Sequence, residues 1–274
     1  MRILFCGDVV GRAGREAILA RVPELRERLQ LDLVVVNAEN AAGGFGITER
    51  LCREFYEVGV DVLTLGNHAW AQREIVGYIE NDPKLLRPLN YPLTTPGFGS
   101  GVFPTAKGES VLVLQAMGRL FMEPLDDPFV AIERVLGNHR LGGTVGAIVV
   151  DIHAEATSEK MALGHYLDGR VTLVAGTHTH VPTADAQILP GGTAYISDLG
   201  MCGDYDSVIG MKKETSIKRF LRPIRTEPFS PAEGEATLCG VFVETNPKTG
   251  LASRVAPLRM GGRLSPAWPF DGQA

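Results

Sequence analysis

The sequence predicts an α/β fold in which two mainly parallel or mixed β-sheets pack face to face and are flanked by helices. Three observations lead there. Short, nearly continuous β-branched runs such as LVVVN (33–37) read as strands buried on both faces. These runs alternate with amphipathic segments of helical spacing, the pattern of a largely parallel sheet. Five of the runs end in carboxylate, carboxamide or imidazole residues, as expected where C-terminal strand ends gather along one functional edge.

In chain order, residues 3–6 predict the first strand and 12–29 a helix with charge on one face. Strands follow over 33–37 and 62–65, separated by a helix over 48–58 opened by Thr48 as N-cap. Residues 88–108, rich in Pro, Gly and Thr, read as turns and short strands. A strand over 111–117 and a helix near 129–139 come next. Strand 146–152, helix 157–167 and strand 171–175 complete the alternating part. Beyond Ile188 the chain reads as strands and loops, notably 235–245 and 253–259, with 266–274 as a terminal tail. No repeat or low-complexity segment is seen, and the candidate site residues run from Asp8 to His180 with no linker between them, so residues 1–274 are expected to form one domain.

Composition excludes several classes. Of 274 residues, 45% are hydrophobic and 22% charged, which is enough apolar material for a sizeable core. A net charge of −5 leaves no broad basic surface, which argues against an extended nucleic-acid interface but permits a small phosphorylated substrate. Charges or Pro/Gly interrupt every apolar run before it could cross a bilayer. At the N-terminus, Asp8 arrives before a signal-peptide core could develop. Cys6, Cys52, Cys202 and Cys239 are scattered without a CxxC pair, and none reads as a nucleophile. A cytoplasmic protein with reduced thiols is expected, and homo-oligomerisation stays open.

The strand ends carry the chemistry. Asp8 follows the first strand, Glu39 and Asn40 the second, and Asn67 with His68 the third. His153 follows strand 146–152, and His178 with His180 follow strand 171–175. Each has a plainer reading taken alone: Asp8 as a helix cap, Asn40 and Asn67 as turn residues, His153 as a structural histidine. His178 and His180 stand apart, because in extended chain their imidazoles point to the same side. Two carboxylates, two carboxamides and three imidazoles suit divalent or trivalent metals of intermediate hardness, Fe or Mn, with Zn or Co as further choices. Seven donors exceed the shell of one tetrahedral zinc, whereas a pair of ions sharing one carboxylate uses them all. Two dications outweigh the charge of Asp8 and Glu39, so the cluster attracts an anionic phosphate ester.

The motifs Gly7-Asp8, Glu39, Gly66-Asn67-His68, His153 and Gly176-Thr177-His178-Thr179-His180 resemble, in that order, those of the calcineurin-like metallophosphoesterases. Two departures narrow the resemblance. The usual DxH is Asp8-Val9-Val10 here, and the usual GDxxD block is Asn37-Ala38-Glu39-Asn40. With GNHAW, VDIHAE, GTHTHVPTAD and DLGMCGDYDSVIGM, these look like the YmdB-type branch. The resemblance implies a four-layer sandwich and assigns Asp8, Glu39, Asn40 and His180 to one ion. It assigns Glu39, Asn67, His153 and His178 to the other, with Glu39 bridging. It also implies 2',3'-cyclic nucleotide phosphodiesterase activity.

Activation of the nucleophile by metal frees His68 to act as general acid toward the leaving oxygen, or as a donor to a phosphate oxygen; the plainer reading is that it orients a neighbour. The Gly-rich 40–46 segment, NAAGGFG, lacks the Walker Lys-Ser/Thr and reads as a loop letting backbone approach metal and phosphate. Residues 199–211 read equally as a substrate loop or a plain surface loop. Trp70 is assigned to helix packing rather than base stacking, and His139 and His165 to structural roles. The competing functions are a phosphomonoesterase or nucleotidase on the same metal core, and a regulatory metal-binding protein acting through partners.

Overall fold

The computed structural model describes residues 1–221 and 227–270. Its first part runs β1 (Arg2–Cys6), β2 (Asp8–Val9), α1 (Gly11–Leu29), β3 (Leu33–Asn37), α2 (Glu49–Glu57), β4 (Val62–Thr64), α3 (Ile75–Ile79) and β5 (Leu85–Leu86). The middle holds β6 (Ser100–Pro104), β7 (Ser110–Met117), α4 (Pro128–Leu136), β8 (Ala147–His153), α5 (Thr157–Tyr166) and β9 (Leu173–Thr177). The remainder is β10 (Gln187–Ile188), β11 (Ala194–Ile196), β12 (Met201–Asp204), α6 (Lys213–Leu221), β13 (Ala236–Thr245) and β14 (Ala252–Met260).

One sheet has the order β2-β12-β13-β1-β3-β4-β5, with β14 outside this order and paired to β13. Its β1, β3, β4 and β5 are parallel, whereas β13 runs antiparallel to β1, β12 and β14. The other sheet has the order β10-β11-β9-β8-β7-β6, parallel from β7 through β8 and β9 to β11, with antiparallel strands at both edges.

Alternation along the strands explains the layering. Ile3, Phe5, Leu33, Val35 and Val62 point from the first sheet into a shared core with Val111, Val113, Val149, Leu173 and Ala175 of the second. The opposite faces are also apolar. Leu4, Cys6, Val34, Val36 and Leu63 pack on α1 and α2 through Ile18, Val22, Leu25, Leu51 and Phe55. Leu112, Leu114, Ile148 and Val150 pack on α4 and α5 through Ile132 and Leu163. The result is helix, sheet, sheet, helix: the four layers expected.

Three expectations need correction. Residues 199–211 are not a plain surface loop: they contain the buried β12, which pairs with β2 at Asp8 and with β13. Residues 266–270 are not a loose tail, because Trp268 lies under the Arg28 guanidinium and Phe270 packs on Phe242; 271–274 lie outside the described residues. Helix α6 occupies a stretch read as strand and loop. Its sequence KETSIKRFL buries only Ser216, so it shows little apolar periodicity to read. The two-residue strands β2, β5 and β10 are too short for any periodic window.

Candidate metal centre

The seam between the sheets turns polar at its C-terminal end. On β3 the inward series Leu33, Val35 continues to Asn37; on β8, Val149 is followed by Asp151 and then His153. All seven sequence-predicted donors lie at this end, five of them nearly fully buried and Asn67 and His178 partly so. Asp8 does not cap α1, whose N-cap is Val10 without a side-chain bond; it sits in β2, pinned by β12.

Two adjacent donor groups form. Around His153 Nε2 gather Asn67 Oδ1 at 3.0 Å, His178 Nδ1 at 3.1 Å and Glu39 Oε1 at 3.3 Å. One ring nitrogen offers a single lone pair or a single proton, so it cannot satisfy three such neighbours. A cation satisfies all four. Beside this group lie Asp8, Glu39 and His180, with ligand atoms within 4.8 Å of one another. There Asp8 Oδ1 and Asn40 Oδ1 are buried without a hydrogen-bond partner among the described residues. Orphaned buried oxygens are costly unless a cation takes them up. The donor chemistry therefore fits two metal ions, with Glu39 common to both groups.

Local structure aims these atoms. Gly66 precedes Asn67 because a Cβ there would meet His153 Nε2 at 2.3 Å and Glu39 Oε2 at 2.4 Å. The Gly-rich loop has positive φ at Gly43, Gly44 and Gly46 and folds back so that Gly44 O accepts from Asn40 Nδ2 at 3.0 Å. That contact engages the Asn40 Nδ2 and leaves its buried Oδ1 free for a ligand. His178 and His180 are not in extended chain as expected. Both hold left-handed backbone, φ 98° and 66°, just past the end of β9. Such a conformation is unfavourable for histidine and persists only where surroundings impose it. Here His178 N donates to Asp8 Oδ2 at 3.2 Å, Thr179 N donates to Asp198 Oδ2 at 3.0 Å, and Tyr205 Oη donates to His180 O at 3.1 Å. Asp198 is in turn held by the buried Lys160 at 2.8 Å. His180 Nδ1 donates to Ile209 O at 2.8 Å, leaving Nε2 on the side of Asp8.

The electrostatics reflect crowding. Burial raises the Asp8 carboxyl to about 7, against the pull of His180 and His153. Burial also works against the charge on Glu39, but His153 and His68 outweigh it and hold that carboxyl near about 2. Burial disfavours a proton on His153, yet Glu39, Asp8 and Asp151 carry its pKa up to about 9. Burial and the charge on His153 bring His178 down to about 3. A proton on His153 thus competes with a cation for the same place.

An open cleft of about 520 Å³ adjoins the centre, lined by Asn67, His68, Phe121, Met122, Glu123 and His178. His68 is placed by its N–H donating to Glu39 Oε2 at 3.0 Å and by the edge of Phe45, 5.0 Å between ring centroids. Phe121 is 91% exposed with φ 63°, so its ring is presented to the cleft and solvent rather than packed. Trp70 packs on the core and against Tyr91, as expected. His139 and His165 lie outside the cluster. Sequence reasoning gave no role to Asp151, Thr177 and Asp198, and noted Tyr205 only as part of the 199–211 segment. Asp151 carried a usable signal, since it stands two residues before His153 on an otherwise apolar strand face.

A family model described as YmdB-like protein matches residues 4–258. A 2',3'-cyclic-nucleotide 2'-phosphodiesterase of Bacillus subtilis is 46% identical over 257 residues, covering 93% of this chain and 95% of that protein. A crystal structure of a hypothetical protein from Thermus thermophilus superposes with TM-score 0.89 at 45% identity, covering 96% of this chain and all of the other. A structure described as a novel phosphatase from Mycoplasma pneumoniae gives TM-score 0.88 at 37% identity, covering 95% and 93%.

Proposed function

Because the chain belongs to the YmdB-like protein family, we propose that it is a metal-dependent phosphoric ester hydrolase, a phosphodiesterase whose substrates are small phosphodiesters of the 2',3'-cyclic nucleotide class. The observation that carries this reading is the convergence of four donor atoms at His153 Nε2 beside the unpartnered Asp8 and Asn40 oxygens. Asp8, Glu39, Asn40 and His180 hold one ion; Glu39, Asn67, His153 and His178 hold the other. Iron or manganese suits this mixed oxygen and imidazole set best, with zinc and cobalt next. When bound, the ions supply positive charge against the phosphoryl oxygens and acidify the attacking water.

The chain's own residues do the rest. Glu39 fixes His68 through the backbone N–H, so the imidazole stands at the rim of the cleft, next to Asn67. From there it donates a proton to the leaving alkoxide as the ester bond breaks. Asn67 and His178 line the same wall and orient the phosphate between the centre and the cleft. Phe121 offers an exposed ring face to a base. Residues 1–274 act as one domain, which the pairing of the late β13 with β1 supports. No helix among the described residues is long and apolar enough to cross a membrane. Four buried, unpaired cysteines favour a reducing, cytoplasmic setting.

The test is turnover of 2',3'-cyclic AMP, 3',5'-cyclic AMP and simple monoesters by one preparation whose metals are quantified. Preferred hydrolysis of the 2',3'-cyclic ester is expected. Faster turnover of monoesters would make the protein a phosphomonoesterase, and metal-replete protein inert toward every ester would leave a regulatory binding role.

A further inference from the structure

The metal-centre reading leaves one buried carboxylate unexplained. Asp151 is fully buried in the seam, and three side chains donate to it. Thr64 Oγ1 reaches Oδ2 at 2.6 Å and Asn37 Nδ2 reaches the same oxygen at 3.3 Å, both from the first sheet. Thr177 Oγ1, from the second sheet, donates to Oδ1 at 2.7 Å. A threonine hydroxyl has one proton. With that proton committed to Asp151, Thr177 Oγ1 can only accept from its other neighbour, His153 Nδ1 at 2.9 Å. The proton of a neutral His153 therefore sits on Nδ1, and the Nε2 lone pair faces Asn67, Glu39 and His178.

We propose that Asp151, acting through Thr177, is a positioning residue that fixes the tautomer and ring orientation of His153 for metal binding. The inference rests on the reading of His153 as a metal ligand. Register makes the arrangement available: β8 and β9 are paired so that Asp151 stands opposite Ala175 and His153 opposite Thr177. All of these residues face the first sheet, where the ends of β3 and β4 supply Asn37 and Thr64. The carboxylate thus ties the imidazole of one sheet to the Thr64 and Asn37 side chains of the other. Carboxylates that orient a ligating histidine raise its basicity, and their loss costs 10- to 100-fold in metal affinity. Here the effect passes through a hydroxyl, which makes it separable from the carboxylate itself.

Thr177→Val keeps the shape and removes the hydroxyl; Thr177→Ser keeps the hydroxyl and removes a methyl. Stepwise zinc titration against a chelator, on metal-stripped protein, reads the two sites separately. In Thr177→Val one binding step should weaken about 10- to 100-fold while the other stays at its wild-type value. Thr177→Ser should restore the weakened step. Asp151→Asn, which keeps size but drops the charge, should weaken the same single step and serves if the valine variant does not fold. Nitrogen-15 spectra of the zinc-bound wild type should show His153 protonated at Nδ1. Equal affinity in wild type and both variants, weakening of both steps together, or failure of Thr177→Ser to rescue would each overturn the proposal. Wild-type protein that binds no zinc would instead overturn the metal-centre reading beneath it.

Discussion

The first sheet reaches the centre with oxygen donors, Asp8, Glu39, Asn40 and Asn67, whereas the second reaches it with the imidazoles of His153, His178 and His180. The first brings the negative charge and harder atoms; the second brings nitrogen donors and positive-φ backbone held by Asp8, Asp198 and Tyr205. Neither sheet by itself closes a donor set. Each of the two donor groups takes atoms from both sides of the seam, so the spacing of the sheets sets the spacing of the ligands. The difference also divides the sensitivities: one side governs charge, the other governs protonation.

Glu39, common to both groups, is where that division should break first. Glu39→Ala should lose both ions and bring phosphodiesterase activity to background, as elemental analysis and turnover together will show. His180→Ala, from the opposite sheet, should lose one ion and keep the other. If it strips both, the two groups are not separable.

The next largest effect belongs to His68. Its alanine variant should lower kcat by roughly 10²–10⁴ while retaining wild-type metal content. A variant with full kcat would return His68 to an orienting role. Bis-p-nitrophenyl phosphate sharpens the test, because its good leaving group needs little protonation and should suffer less than 2',3'-cyclic AMP.

Protonation separates the sheets more gently. Between pH 7 and 9 Asp8 is losing its last protons while His153, with its pKa near about 9, still holds one. Metal binding must displace that proton, so apparent affinity should rise about tenfold per pH unit across this window. Metal-free protein should move the other way. Folded His153 binds its proton more tightly than in the unfolded chain, where the pKa is 6.5, so its stabilisation is complete below 6.5 and lost as pH rises through about 9. A melting temperature that falls over this range only when metal is removed is the expected signature; parallel curves for both forms would refute it.

The smallest effect should come from outside the centre. Phe121→Ala should raise KM for 2',3'-cyclic AMP about five- to tenfold with kcat unchanged, in line with the worth of one base–aromatic stack. A base-free cyclic phosphodiester should show no change.

Much of this was legible because the strands are short, apolar and abruptly terminated. LVVVN before Ala38-Glu39-Asn40, and the run before Gly66-Asn67-His68, mark strand ends without knowledge of any partner. Runs apolar on both faces pointed to two sheets flanked by helices, and the family resemblance supplied the four-layer sandwich. What could not be read depends on contacts far apart in sequence. Asp8 is placed by β12, almost two hundred residues later, and the left-handed turns at His178 and His180 are imposed by Asp8, Asp198 and Tyr205. The extended geometry inferred for that histidine pair was wrong for the same reason, although the pair does converge. Asp151 showed in the sequence only as a carboxylate two residues before His153 on an apolar strand face; what it does there emerges from Thr64, Asn37 and Thr177 around it.

The antiparallel insertion of β13 between β1 and β12 governs when the centre can come into being. A growing chain has carried every candidate donor once His180 is synthesised, yet Asp8 still has no lasting support. Its strand pairs with β12, and β12 is secured by β13. Until residues 236–245 arrive, the edge of β1 stands open, a template for association with other chains. The support of Asp8 therefore depends on residues far along the chain, and until they pair an unfinished sheet edge is open to misassembly.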